Sequence, residues 1–163
     1  MVETAPNDEA LPSAGDFGGQ GGADGGMLER EAGVEQPGVQ PRTNGRGLFT
    51  ADEKGEFWFR TIVPSYYPIP TDGPVGELLV ATGRHAFRPA HIHFIVTAQG
   101  HRDLTTHIFV AGSEYIESDT VFAVKKSLVV DFEEVTDEEL AGRWGVQVPF
   151  RHADFEIVMQ PGS

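Results

Sequence analysis

The sequence predicts an all-β fold, a β-sandwich with long loops and little helix. Short runs rich in β-branched and aromatic residues recur along the second two-thirds of the chain, and clusters of Gly and Pro separate them. No stretch sustains the apolar period of a long helix. A chain of 163 residues accommodates one such sandwich of roughly 100 to 130 residues and leaves no room for a second globular domain.

Residues 1–43 contain Gly18-Gly19, Gly21-Gly22 and Gly25-Gly26, scattered acids and few β-branched or aromatic residues. Such a segment buries too little apolar surface to offset its ordering entropy, so disorder or loose attachment is expected. Met27-Leu28-Glu29-Arg30-Glu31-Ala32 offers at most one unstable turn of helix. The folded domain is expected over 44–163. Leu48-Phe49-Thr50 and Glu56 to Val63 read as two strands joined by a hairpin at Asp52-Glu53-Lys54-Gly55. Pro64, Pro68, Pro70 and Pro74, with Gly73 and Gly76, then build a rigid irregular loop. Glu77 to Ala81 reads as a short helix or strand, and residues 89–98 as the central strand. Leu104 to Val110, Ser127 to Phe132 and Ala153 to Met159 complete the strands, and Thr136-Asp137-Glu138-Glu139 opens one helical turn.

Composition excludes several functions. The 25 acidic residues against 12 basic ones give a formal charge of −13, which repels phosphate backbones and anionic membranes, so no nucleic-acid partner is expected. Cys is absent, which removes disulfides, thiolate metal sites and a cysteine nucleophile. No apolar run approaches the roughly 20 residues of a spanning helix, and the N-terminus lacks a basic leader, so a cytoplasmic location is expected. The glycine-rich N-terminal segment lacks the Lys-Ser/Thr of a phosphate loop.

The chemistry centres on Arg88-Pro89-Ala90-His91-Ile92-His93. In a strand, alternate residues share a face, so His91 and His93 stand side by side, either gripping one metal ion or satisfied by local hydrogen bonds. Tyr67 sits among prolines, where packing is the ordinary role, although a trivalent metal takes a phenolate at neutral pH. A phenolate with two imidazoles suits Fe(III). Standing alone, His107 reads as a satisfied strand histidine, Arg88 as an ion-pair partner for one of the many acids, and Phe122 as either core packing or pocket lining.

Six motifs then occur in one order: Thr61-Ile62-Val63-Pro64, Tyr67-Pro68-Ile69-Pro70, Asp72-Gly73-Pro74-Val75-Gly76, Gly83-Arg84-His85, Arg88-Pro89-Ala90-His91-Ile92-His93 and Leu104-Thr105-Thr106-His107. Together they resemble the catalytic domain of the intradiol ring-cleavage dioxygenases, most closely over residues 44–132. The resemblance implies a β-sandwich that cleaves hydroxyquinol or catechol with Fe(III) and O₂, between the two hydroxyl-bearing carbons. It implies Tyr67, His91 and His93 as iron ligands, Tyr67 being the one that leaves when substrate binds. Arg88 corresponds to the arginine that stabilises negative charge on the ring. His107 stands where hydroxyquinol-type relatives carry His and catechol-type relatives Gln, and Phe122 falls at a substrate pocket. A non-catalytic sandwich that keeps this fold, and a metal-free transthyretin-like carrier or hydrolase, are the competing readings.

The sequence departs from the family at its N-terminal side. A second tyrosine ligand is expected there in a Gly-x-Tyr after a Trp-containing strand, but that window holds Glu31-Ala32-Gly33-Val34, and no tyrosine precedes Tyr66. The helical dimerisation domain of relatives has no counterpart, which leaves a homodimer without its usual basis. Codons for residues 24–30 can be chosen so that the next reading frame spells such a Trp-containing strand, so a frame change in the first 30 or so residues would account for the loss. A site of three protein ligands is expected to retain iron weakly and turn over slowly or not at all.

Overall fold

The computed structural model describes residues 47–162 together with the backbone of Val2–Ala5 and Met27–Leu28. Strands dominate it, and they fall into two larger sheets and a two-stranded ladder. The first sheet orders β10 (Glu133–Val135), β11 (Phe150–Ala153), β1 (Val2–Ala5) and β4 (Phe59–Ile62). The second orders β3 (Gly47–Leu48), β2 (Met27–Leu28), β7 (His91–Val96), β8 (Leu104–Val110) and β9 (Val129–Val130). The ladder pairs β5 (Tyr67–Pro68) with β6 (Phe87–Arg88).

The core draws on both sheets. Phe59 and Ala153 from the first cluster with Ile92, Phe94 and Ile108 from the second and with Phe132. Phe57 and Phe59 stack at 6.4 Å, and both meet Phe94 edge-on. Such pairs add about 0.5–1.5 kcal/mol each beyond the area they bury.

The sequence places β7 centrally, and it is the middle strand of its sheet. Other expectations need correction. Gly47–Leu48 and Phe59–Ile62 lie in different sheets rather than forming a hairpin. The turn between them is nonetheless built as expected: Asp52 Oδ1 accepts from the Lys54 and Glu56 amides at 2.8 and 2.9 Å, and Gly55 takes φ +80°. A short polar turn reports a reversal, and the partners of its flanks are decided by long-range packing. Two segments of the glycine-rich region pair: Val2–Ala5 runs parallel to β4 and antiparallel to β11, and Met27–Leu28 is a strand rather than helix. The rest of 1–43, including the altered tyrosine window, lies outside the described residues.

The residues expected to be helix or strand form α1, Pro74–Ala81, with Pro in its first turn. Its Gly76 is required by close approach, since a Cβ there would stand 2.0 Å from the Thr71 carbonyl oxygen. The single helical turn near Thr136 is longer than expected, α2 running over Glu138–Trp144. Asp137 caps it through the Glu139 and Leu140 amides, Gly145 closes it at φ +66°, and Trp144 packs edge-on against Trp58. Part of the strand expected from Ser127 is a 3-10 turn, Lys126–Leu128. The last strand comes earlier, at Phe150–Ala153; beyond it Phe155 and Ile157 still pack on the core, alternating with the exposed Asp154 and Glu156.

Phe94 is 2% exposed at the meeting of both sheets. Phe94→Ala is expected to destabilise the chain by about 3–5 kcal/mol in urea unfolding; a loss under 1 kcal/mol would show that the two sheets do not share this core.

Candidate functional site

Two ladders assemble the site. In the first, Tyr67 pairs directly opposite Arg88, and an Ile69 amide to Ala86 carbonyl bond of 2.9 Å extends the pairing. In the second, His93 pairs opposite His107 and His91 opposite Phe109. Pro89 and Ala90, both buried, join the two. The extended backbone that Pro89 imposes on Arg88 lets the chain pass from one ladder into the other without a turn.

Three donor atoms converge. His91 Nε2 lies 3.1 Å from His93 Nε2 and 3.5 Å from the Tyr67 hydroxyl. His91 Nδ1 donates to the Pro89 carbonyl at 2.6 Å, which fixes its tautomer and turns the Nε2 lone pair toward the other two. Donors held about 2.1 Å from one ion and about 90–110° apart are separated by roughly 3.0–3.4 Å, close to these spacings. Two imidazoles and a phenol form a donor set of the kind that fits a ferric ion. Among the described residues no group of three His, Cys, Asp or Glu side chains could hold a metal ion.

Arg88 is 6% exposed and lies against these donors, its Nη1 3.0 Å from His91 Nε2 and 3.5 Å from the Tyr67 hydroxyl. Its Nε donates to Asp119 Oδ1 at 3.2 Å. Burial opposes the guanidinium charge, but the hydrogen bonds to Asp119 and Tyr67 outweigh it, so the Arg88 pKa is raised. The guanidinium therefore stays cationic, and it shares the His91 lone pair that a metal would use.

His107 closes the far side, its ring centroid 5.3 Å from that of His93 and 5.8 Å from that of His91. Burial, then the neighbouring His93, His91 and Arg88, lowers its pKa to about 4, with a backbone hydrogen bond to Ala123 opposing. Its buried Nε2 has no hydrogen-bond partner among the described residues, so the Ala123 bond engages Nδ1. A neutral imidazole whose Nδ1 donates presents Nε2 as an acceptor.

Phe122 is not core: it is 78% exposed at φ +56°, with the Arg84 guanidinium 3.9 Å above its ring. The residue that sequence reasoning missed is Asp119, 4% exposed. A lone aspartate in Ser118-Asp119-Thr120 carries no local signal, and only the fold reveals its pairing with Arg88. Tyr66 and Tyr115 both pack around Phe87. A cavity of about 620 Å³ opens between β8, β9 and residues 152–158, and of the site residues only His107 borders it.

Known proteins resemble this chain in sequence and in fold. The protein family described as Dioxygenase matches residues 27–161. The hydroxyquinol 1,2-dioxygenase of Rhizobium sp. (strain MTP-10005) is 54% identical over 112 residues, 69% of this chain and 38% of that protein. The crystal structure of hydroxyquinol 1,2-dioxygenase from Pseudomonas putida DLL-E4 matches 85% of this chain and 51% of its own at 41% identity and TM-score 0.68. That of catechol 1,2-dioxygenase from Acinetobacter sp. ADP1, inhibited by bound mercury, matches 85% of this chain and 47% of its own at 35% identity and TM-score 0.74. The chain belongs to the intradiol ring-cleavage dioxygenase family, whose members use iron. It spans 38% of the Rhizobium relative and about half of each solved chain. No helix among the described residues is long and apolar enough to cross a membrane.

The lowered His107 pKa has a measurable consequence. Between about pH 6.5 and about 4 the unfolded chain binds a proton at this position that the folded chain does not, so stability falls as pH falls through that window. In metal-free protein, His107→Gln is expected to flatten this part of the profile of urea midpoint against pH. An unchanged slope would show that His107 titrates normally in the fold.

Proposed function

We propose that the chain is the catalytic β-sandwich of an intradiol dioxygenase that acts on hydroxyquinol in preference to catechol. The observation that carries this reading is the convergence of the Tyr67 hydroxyl, His91 Nε2 and His93 Nε2 beside a buried, cationic Arg88. Tyr67, His91 and His93 would hold Fe(III), which supplies Lewis acidity and makes a bound diol electron-rich toward O₂. The chain's own residues do the rest. Tyr67 would be the ligand that yields to substrate, its phenolate oxygen taking up one of the diol's protons to become the free phenol. Arg88 lies beside both Tyr67 and His91, where negative charge on the ring develops, and a fixed guanidinium stabilises that charge at little reorganisation cost. His107 Nε2 offers an acceptor that suits the third hydroxyl of hydroxyquinol better than the bare edge of catechol. Phe122 is the weakest of the proposed substrate contacts, since its ring is turned to solvent under Arg84.

The second reading, a non-catalytic sandwich that keeps the fold, is favoured by one observation. The chain has three tyrosines, and Tyr66 and Tyr115 are engaged at Phe87, so Tyr67 alone is available as a phenolate. Three protein ligands hold iron less firmly than four, and weak retention with reduced turnover follows.

Iron content and the visible spectrum of Fe(III)-supplemented protein test both readings. A broad tyrosinate-to-Fe(III) band is expected, absent in Tyr67→Phe, with ring cleavage of hydroxyquinol faster than of catechol. His107→Gln should shift the ratio of kcat/KM for the two diols toward catechol by about tenfold, the size of one hydrogen bond. A colourless protein that holds no iron would leave the non-catalytic reading standing.

A further inference from the structure

Asp119 is a buried carboxylate that the site does not explain by itself. Its side chain is 2% exposed and that of Arg88 7%. One oxygen, Oδ1, accepts from Arg88 Nε at 3.2 Å and from the Val121 amide at 3.3 Å, and Oδ2 accepts from the Ala123 amide at 2.9 Å. The carboxylate thus ties the guanidinium to the loop that follows it.

That loop is itself fastened to the strand carrying Arg88. The Thr120 amide donates to the Phe87 carbonyl at 3.2 Å, and the Thr120 hydroxyl to the His85 carbonyl at 3.0 Å. Arg84 Nη2 donates to the Thr120 carbonyl at 2.7 Å. At its other end, the backbone of Ala123 engages His107. One five-residue segment therefore touches two of the polar groups around the donor atoms: Arg88 through a carboxylate and His107 through a peptide group. Phe122, at φ +56°, lies in the same segment. Non-glycine residues in that conformation persist where the surroundings over-determine them, and such positions cluster at functional sites.

The direction of the Arg88–Asp119 contact matters. Asp119 takes the Nε hydrogen and leaves Nη1 facing His91 and Tyr67. A guanidinium is a planar fork, so fixing Nε against a carboxylate sets the plane and with it the aim of the Nη groups. We propose that Asp119 is a positioning residue: it aims the Arg88 guanidinium at the place where an aromatic diolate would bind, and its loop sets His107 on the same side. The proposal rests on the reading of Arg88 as the group that meets substrate charge. Asp119 touches neither the donor atoms nor the diol and acts through Arg88.

The test has one arm without metal. In the metal-free full chain, the Nε–H signal of Arg88, assigned by its loss in Arg88→Lys, is followed by ¹H–¹⁵N NMR. Exchange with water is expected to be at least tenfold faster in Asp119→Asn than in the parent. Thr120→Val, which removes one fastening of the loop and leaves the carboxylate, should stay within about twofold of the parent. Asp119→Glu retains the charge and serves if the Asn variant does not fold; it should move the Nε–H chemical shift while keeping exchange slow. Equal exchange in Asp119→Asn and parent, or an unmoved shift in Asp119→Glu, would overturn the proposal.

The second arm measures binding of a nitrocatechol to Fe(III)-loaded chain by its visible spectrum. Asp119→Asn should weaken binding about tenfold in the parent background and have no further effect in Arg88→Gln. An equal loss in both backgrounds would mean that Asp119 acts only on the fold and would also overturn the proposal. Failure of the parent to bind the diol counts against the dioxygenase reading, and the metal-free arm then decides the role of Asp119 alone.

Discussion

The pairing of Tyr67 opposite Arg88 is the constraint on which the site depends. His91 and His93 are neighbours by strand geometry, but Tyr67 lies 24 residues before His91 and must be brought to it across a loop. Closing such a loop costs conformational entropy. The chain lowers that cost with Pro68, Pro70 and Pro74, which restrict the unfolded segment, and with α1, which takes up eight residues of it. The Gly76 backbone packed on the Thr71 carbonyl makes the fold-back compact. What remains is a two-residue ladder, and it suffices because both of its ends are fastened: Tyr67 to Arg88 on one side, Ile69 to Ala86 on the other.

Around that ladder the site concentrates groups that would repel one another if all were charged. Arg88, His91, His93 and His107 lie within a few ångströms. The arrangement is tolerable because one carboxylate, Asp119, offsets Arg88 while burial, foremost, and the guanidinium of Arg88 disfavour a charge on His107. The guanidinium faces the Nε2 lone pair of His91, so an ion held there would compete with Arg88 for it.

The surroundings of this centre are sparse. Only one of the chain's three tyrosines lies at the histidine pair, and the chain covers well under two-thirds of the length of the relatives it matches. Val75, Leu78 and Val80 of α1 are more than half exposed, so this helix rests on the domain chiefly through Gly76 and Leu79. Tyr67, Arg88, His91, His93 and His107 are thus concentrated in a small region between the proline loop and β8.

The sequence by itself determined the all-β character, the central strand, the adjacency of His91 and His93, and the turn at Asp52, because these depend on residues within a few positions of one another. Six ordered motifs extended that local reading to Tyr67, Arg88 and His107. Tertiary structure alone decided which strands pair. It separated the flanks of the Asp52 turn into two sheets, drew Val2–Ala5 and Met27–Leu28 into ladders, and moved the last strand to Phe150–Ala153. It also decided the partner of Arg88, since an aspartate 31 residues away becomes a contact only when two loops are folded against one strand. Local patterns specify conformation; contacts distant along the chain are fixed by the packing of a shared core, which no short window of sequence contains.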